Sequence, residues 1–244
     1  MGYPTAIMKK TAAALALIIA LAQVPARAQS SIVSQIVGDA AATERLYFSL
    51  KLGLNCNRLT GVGGEAERLG GLNLGLFATV RLSDRLSLVP EVAPISRKGI
   101  TNIPFVPTGD PGLDPHFDPP DKSSLALNYV DVPVLLKCRL NGRIDLAAGP
   151  FIGFLTSATE RFRAEPETGG ELSFKRAVTE DYRATDFGVV VEASVVATKP
   201  RRGTGLVFHV RYQGGLSDIL KDPAAAAAVR TSTLQISVSF PFIH

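Results

Sequence analysis

Ten charged residues recur at alternate positions inside otherwise apolar stretches: Lys51, Arg81, Glu91, Asp131, Lys137, Arg139, Asp145, Asp186, Glu192 and Arg211. Five are basic and five acidic. Successive side chains of a β-strand point to opposite faces, so these ten share the face that their apolar neighbours leave. Gathered in a narrow interior, such a set must pair, because an unpaired buried charge loses its hydration without recompense. The expectation is a structural network, with Arg81, Lys137, Arg139 and Arg211 meeting Glu91, Asp131, Asp145, Asp186 and Glu192. Glu192 and Arg211 fall on consecutive strands and are the best-placed pair. Residues at the rims would instead sit in water, where ion pairs contribute only about 0–1 kcal/mol.

Other candidates for chemistry are weaker. His209 is the histidine that falls within a strand pattern, beside Arg211 on the polar face. It could serve as a general base, but no serine or carboxylate accompanies it at a motif spacing, so an interior hydrogen-bonding role is expected. Asp110, Asp114, Asp118 and Asp121 could hold Ca²⁺, yet their spacing is not that of an EF-hand, and Pro-Asp segments are usually solvated turns. Gly61-Val62-Gly63-Gly64 reads as a loop tip, since no helix follows to make a phosphate cradle. Cys56 and Cys138 match no metal spacing and belong to non-neighbouring strands, so a disulfide is not expected. No catalytic residue, metal or cofactor is assigned.

The elements that carry these residues are organised around 128–155, NYVDVPVLLKCRLNGRIDLAAGPFIGFL. This stretch reads as two strands joined at Asn141-Gly142, a dipeptide that suits a type I′ hairpin turn. Val130, Val132, Val134, Leu136 and Leu140 share one face before the turn; Ile144, Leu146, Ala148, Ile152 and Phe154 share one after it. Each run can cross a bilayer as a tilted strand, which takes about 9–11 residues. Similar alternation appears at 47–56, 72–82, 86–95, 185–198, 204–214 and 231–242, although Pro90 and Pro94 weaken the third strand. The total is eight strands. The segments 57–71, 96–122, 156–182 and 216–230 read as loops, the last with a short helix at Asp222-Pro223 and the alanines after it.

The connections alternate between long and short. The short ones are Ser83–Arg85, Asn141–Gly142 and Lys199–Gly203. In an up-and-down barrel all short turns then fall at one end, as in outer-membrane barrels. The apolar faces are almost free of charge, which favours a barrel with lipid outside over a soluble one with an apolar interior. Phe240 and Phe242 give the last strand the usual aromatic ending, although Ile243 and His244 follow. The fold class expected is all-β, an eight-stranded antiparallel up-and-down transmembrane β-barrel.

The N-terminus agrees. Lys9 and Lys10 precede an apolar run to Val24, and Ala26-Arg27-Ala28 fits a small-x-small cleavage site. Residues 1–28 read as a signal peptide, 29–45 as a lead-in and 46–244 as the barrel domain. Cleavage would leave 216 of the 244 residues, one domain's worth. It would also remove Lys9, Lys10 and Arg27, so the 26 basic residues fall to 23 against 22 acidic. The basic character of the precursor therefore gives no ground for nucleic-acid binding.

The stretches Tyr129–Lys137 (YVDVPVLLK), Gly149–Gly153 (GPFIG), Asp186–Gly188 (DFG) and Arg211–Ile219 (RYQGGLSDI) resemble the PorT-like bacterial outer-membrane β-barrel family. The resemblance spans roughly 47–242. It implies residence in the cell outer membrane and, for PorT proteins themselves, a link to protein secretion; it implies no catalytic residue. Three function classes stand. The first is a non-enzymatic barrel acting through its external loops as scaffold, adhesin or partner-binding surface. The second is a small-solute pore or ligand-carrying barrel, disfavoured because eight strands enclose only enough room for side chains. The third is an outer-membrane lipid-modifying enzyme, disfavoured by the missing constellation. Expected partners are outer-membrane lipid and a protein at the external loops, with no nucleic acid, and the chain is expected to be a monomer.

Overall fold

Crossing hydrocarbon obliges a chain to pair every backbone N–H and C=O internally, and strands can do so only by closing on themselves. The computed structural model of this chain closes in that way. It describes residues 45–62, 67–112, 114–117, 120–165, 170–201, 204–221 and 228–242. The expected signal peptide, the lead-in up to residue 44 and residues 222–227 of the expected short helix lie outside the described residues.

The strands are β1 (Leu46–Thr60), β2 (Glu67–Arg81), β3 (Leu86–Thr101), β4 (Lys122–Arg139), β5 (Ile144–Ala164), β6 (Leu172–Ala177), β7 (Thr185–Arg201), β8 (Thr204–Gly215) and β9 (Arg230–Phe242). All pairings are antiparallel. The order is β4-β3-β2-β1-β9-β8-β7-β5, and β4 pairs with β5 to complete a ring of eight. Strand β6 stands outside the ring and pairs only with β5. The ring is the closed eight-stranded antiparallel barrel that the alternation implies.

Apolar residues point outward over the middle of each strand. Val191, Val210 and Ile236 expose 56%, 53% and 62% of their surface. Around them stand Leu136, Leu146, Ile152, Phe154, Phe187 and Leu234, also exposed. In water such a belt would be an aggregation surface; in lipid it is the solvated face. Polar residues fill much of the interior, around a small apolar cluster of Phe77, Val89, Leu135, Ala147, Phe151 and Val190.

Towards the long-loop end this pattern reverses. Ile100, Leu125, Leu127, Ala158, Phe162 and Ala164 are buried inside, and together with Leu59, Phe117, Tyr182, Ile219 and Val229 they form an apolar core. Phe105 packs edge-on to Phe162 at 5.4 Å, and Phe174 stacks on Phe162 at 6.2 Å. In β4 the inward face changes from polar to apolar in unbroken phase, from Asp131 to Leu127 and Leu125, whereas β3 and β5 each pass through a β-bulge. In β5 the extra residue is Thr156, between Leu155 opposite Tyr129 and Ser157 opposite Asn128. Outward residues are even-numbered before it (Ile152, Phe154), and inward ones are even-numbered after it (Ala158, Phe162). In β3 the register slips between Ala93 and Ser96, so Glu91 and Ala93 point inward before the slip, and Ser96 and Lys98 after it. One added residue moves every later side chain to the other face.

These bulges correct several expected boundaries. The segments 57–71, 96–122 and 156–182 are not simply loops: β1, β2, β3, β4 and β5 all extend into them, and β6 folds back on β5 as a hairpin. Beyond the lipid the outward face becomes polar and the inward face apolar, so the pattern that marks the membrane strands stops although the strands continue.

The Asn141-Gly142 connection is also not a type I′ turn, because neither residue has a positive φ. Instead, Asn141 Oδ1 accepts hydrogen bonds from the N–H groups of Arg143 and Ile144, each at 2.8 Å. Ser83 Oγ accepts those of Arg85 (3.4 Å) and Leu86 (3.1 Å) at the β2–β3 turn. A short polar side chain that caps the amides two and three residues on makes the same reversal without left-handed backbone.

Both cysteine thiols are free. Cys56 on β1 faces Gly70 and Leu234; Cys138 on β4 faces Leu86 and Leu146.

Placing a charge in the outward belt tests the lipid-facing assignment. Val210→Arg should lower the unfolding free energy in lipid vesicles by about 2–4 kcal/mol, the cost of an arginine near the bilayer midplane. Chemical unfolding followed by fluorescence measures it, and an unchanged midpoint would place Val210 away from lipid.

Candidate functional site

The interior of the barrel is built around Arg211. Its Nε donates to Glu192 Oε2 at 2.7 Å, and its Nη1 and Nη2 donate to Glu91 Oε1 and Oε2 at 3.2 and 2.7 Å. Glu192 and Arg211 are register partners on the adjacent strands β7 and β8. Glu91 lies on β3, with three strands between it and β8 in either direction around the ring. The guanidinium therefore bridges the full width of the lumen, held by the bidentate geometry that arginine offers carboxylates. Lys51, from β1, donates to Glu91 Oε2 and lies 3.6 Å from Glu192 Oε2. Lys51 is register partner of Gly75, where a Cβ would lie 2.9 Å from Glu91 Oε1. A side chain at 75 would thus push Glu91 out of the network.

A second layer lies towards the long-loop end. Lys98 Nζ sits 3.2 Å from both Asp131 Oδ1 and Asp186 Oδ2. The rings of Tyr129 and Phe151 face the ammonium at 4.5 and 4.8 Å from their centroids, a cation–π enclosure. Asp131 Oδ2 accepts from Ser96 Oγ (2.6 Å) and from Gln213 Nε2 (2.9 Å). Asp186 accepts from Ser217 Oγ (2.9 Å) and Thr231 Oγ1 (2.7 Å). Above this layer the apolar core begins.

The ten charged positions thus divide. Lys51, Glu91, Asp131, Asp186, Glu192 and Arg211 lie buried in these two layers. Arg139 and Asp145 form a separate pair at 3.5 Å near the short turns. Arg81 and Lys137 line a small cleft at that mouth with Asp84 and Arg85. Neither has a carboxylate within ion-pairing distance among the described residues. Arg81 lies over the Tyr47 ring instead, at 5.9 Å. They fail to join the network because the strand ends hold them at the rim. Lys98 takes the place expected for them. Unbroken alternation along β3 would point it outward, and the slip after Ala93 turns it in.

His209 has closer company than its motif spacing suggests. Nδ1 lies 3.0 Å from Glu192 Oε1 and Nε2 lies 2.7 Å from Ser239 Oγ. A carboxylate can only accept, so Nδ1 donates to Glu192, and in the neutral imidazole Nε2 then accepts from the Ser239 hydroxyl. The arrangement is that of a nucleophile, base and acid, brought together from β9, β8 and β7. Ser239 and His209 expose only 1% and 5% of their surface, however, and Phe77 packs edge-on against the imidazole. No substrate reaches the hydroxyl without unpacking the lumen.

Among the described aspartates of the β3–β4 loop, Asp110 and Asp114 bond within local turns and Asp121 bonds the end of β5. Asp110 Oδ1 accepts from Gly112 N–H, Asp114 Oδ1 from Thr108 N–H and Oγ1, and Asp121 Oδ2 from Glu165 N–H. Asp118 lies outside the described residues. Near the long-loop end, burial pushes the Tyr182 phenol up, and the Glu160 and Asp181 carboxylates add to the shift.

A closed ring, an outward apolar belt and a paired polar lumen describe a membrane barrel. The family model of the outer membrane protein beta-barrel domain matches residues 23–221. The chain belongs to that family. It resides in the outer membrane. Among solved structures, Ail, the attachment invasion locus protein of Yersinia pestis, in complex with the heparin analogue sucrose octasulfate, is 14% identical with a TM-score of 0.40; the match covers 81% of this chain and 99% of that one. Neisserial surface protein A (NspA) is 12% identical, with a TM-score of 0.41 and coverage of 82% and 98%. Outer membrane protein AlkL, solved in DMPC lipid bilayers, is 10% identical, with a TM-score of 0.39 and coverage of 84% and 94%. No curated protein matches the chain.

Removing the central cation should strand two carboxylates. Arg211→Met is expected to destabilise the barrel by about 3–5 kcal/mol, the cost of breaking a buried pair from one side. Urea unfolding in lipid vesicles reads this as a lower midpoint with an unchanged slope; wild-type stability would show that the lumen network contributes nothing.

Proposed function

We propose that this protein is a closed, non-enzymatic outer-membrane barrel that acts as a partner-binding scaffold through its outer surface. The observation that carries the reading is the bond from Arg211 on β8 to Glu91 on the opposite strand β3. A solute passing through would have to part that bond, then the Lys98 layer, then the apolar core above it. Breaking a buried pair costs several kcal/mol, so the lumen serves stability and the surface serves function. The apolar core supports the same division, because it makes the outer end a rigid head instead of a set of free loops. The PorT-like motifs at Tyr129–Lys137 and Arg211–Ile219 favour a partner connected with protein secretion. The barrel meets outer-membrane lipid along its belt and works as a monomer.

Two measurements test the reading. Purified protein in planar lipid bilayers should give no regular conductance steps, and steps from the wild type would overturn the closed lumen. Glu192→Gln should lower heat stability in detergent or open conductance; no change in either would show that Glu192 is not part of a plug. The sealed Ser239–His209–Glu192 arrangement motivates a third. A fluorophosphonate probe should leave Ser239 unlabelled in the folded protein, and labelling that Ser239→Ala abolishes would instead support an acyl-transfer enzyme.

A further inference from the structure

Strand β6 is the one strand of the described residues that pairs on a single side. Val178 N–H donates to Ala158 C=O at 3.0 Å, which fixes the phase of the β5–β6 ladder. Bonded pairs then fall at Arg176–Glu160, Phe174–Phe162 and Leu172–Ala164. The backbone N–H and C=O groups of Ser173, Lys175 and Ala177 therefore point away from β5, along a free edge. Such an edge is a template for another strand.

The side chains beside that edge have a definite sign. Arg161 and Lys175 stand directly opposite each other in the register. They form a non-hydrogen-bonded pair, the closer of the two kinds, and like charges so placed are destabilising. Phe162 and Phe174 fill the inner face, so Arg161 and Lys175 lie on the outer one. Neighbouring cations have local acids: Arg163 pairs with Glu171 at 3.1 Å, and Arg176 with Glu160 at 2.8 Å. Among the described residues, no carboxylate lies within ion-pairing distance of Arg161 or Lys175. On the inner face, Leu172 and Phe174 are only partly buried against the core.

We infer that the β6 edge takes an added antiparallel strand from a partner whose sequence alternates acidic and apolar residues. The inference rests on the scaffold reading above and names the class of partner. A residue opposite Lys175 would exchange two backbone bonds with it and lay its side chain beside the Lys175–Arg161 pair, where a carboxylate relieves the repulsion. Apolar residues at the alternate positions would cover Leu172 and Phe174. A second copy of β6 does not fit, because antiparallel self-pairing about Lys175 sets cation against cation. A sulfated polysaccharide or a lipid phosphate would answer the charges but leave the amides and the apolar face unmet.

The test uses the whole folded barrel in detergent micelles and a fluorescein-labelled peptide alternating valine and glutamate, read by anisotropy. One control has the same composition with its glutamates in a single block. Another carries N-methyl groups on every second amide, so that the edge facing β6 cannot donate. The alternating peptide should bind, and both controls should bind at least about tenfold more weakly, as expected for lost edge hydrogen bonds. Lys175→Gln should weaken binding and flatten its salt dependence. Lys175→Pro should abolish it while leaving the β5–β6 ladder intact, since the lost N–H faces away from β5. Folding of each variant is checked by heat-modifiable gel mobility, and the peptide controls decide the matter if Lys175→Pro does not fold. Equal binding of all three peptides, binding of none, or binding of heparin or anionic vesicles without discrimination between the peptides would overturn strand addition. Those outcomes leave the closed barrel standing, whereas wild-type conductance would remove the scaffold reading without altering the peptide results.

Discussion

The Arg211 guanidinium holds together what the backbone ring alone does not. Hydrogen bonds between neighbouring strands close the barrel as a sheet, yet an eight-stranded ring still has an interior to fill. Arg211 fills it by joining Glu192 on β7 to Glu91 across the lumen, with Lys51 between the two carboxylates. Each member depends on the others, because Glu91 and Glu192 are buried away from bulk water and an unpaired charge there loses its hydration. Gly75 belongs to the same design, since it leaves the space that Glu91 occupies.

The second constraint is the change of medium along the barrel axis. Within the lipid the outward face is apolar and the interior is largely polar, with one small apolar cluster around Leu135 and Val190. Beyond it the requirement inverts, and Leu125, Leu127, Phe162 and Ile219 turn inward as in any soluble domain. Thr156 in β5 and the slip after Ala93 in β3 carry those two strands through that inversion. The inner core makes the head rigid, and a rigid head can present an edge such as β6 at lower ordering cost than a loose loop can.

The triad-like contact of Ser239, His209 and Glu192 separates geometry from activity. The distances suit proton transfer. Catalysis also needs a path for substrate and a site for the developing charge, and here the same carboxylate is already engaged by Arg211. In this setting the three residues extend the lumen network from β7 to β9.

Much of this was legible in the sequence. Period-two alternation identifies the eight ring strands, the faces of their membrane portions and the short turns, because lipid imposes one polarity on one face over about 9–11 residues. Glu192 and Arg211 are readable as neighbours because they lie on the polar faces of consecutive antiparallel strands, while two register shifts between Val196 and Arg201 set them directly opposite each other. Tertiary structure decided the rest. A single extra residue in β3 turned Lys98 inward to meet Asp131 and Asp186. Strand ends left Arg81 and Lys137 at the mouth. Barrel closure set Glu91 across from Arg211 and Ser239 beside His209, contacts spanning 120 and 30 residues. Strand β6 was hidden for the same physical reason as Lys98: alternation reports a face only while its phase and its solvent stay constant, and both change where the barrel leaves the membrane.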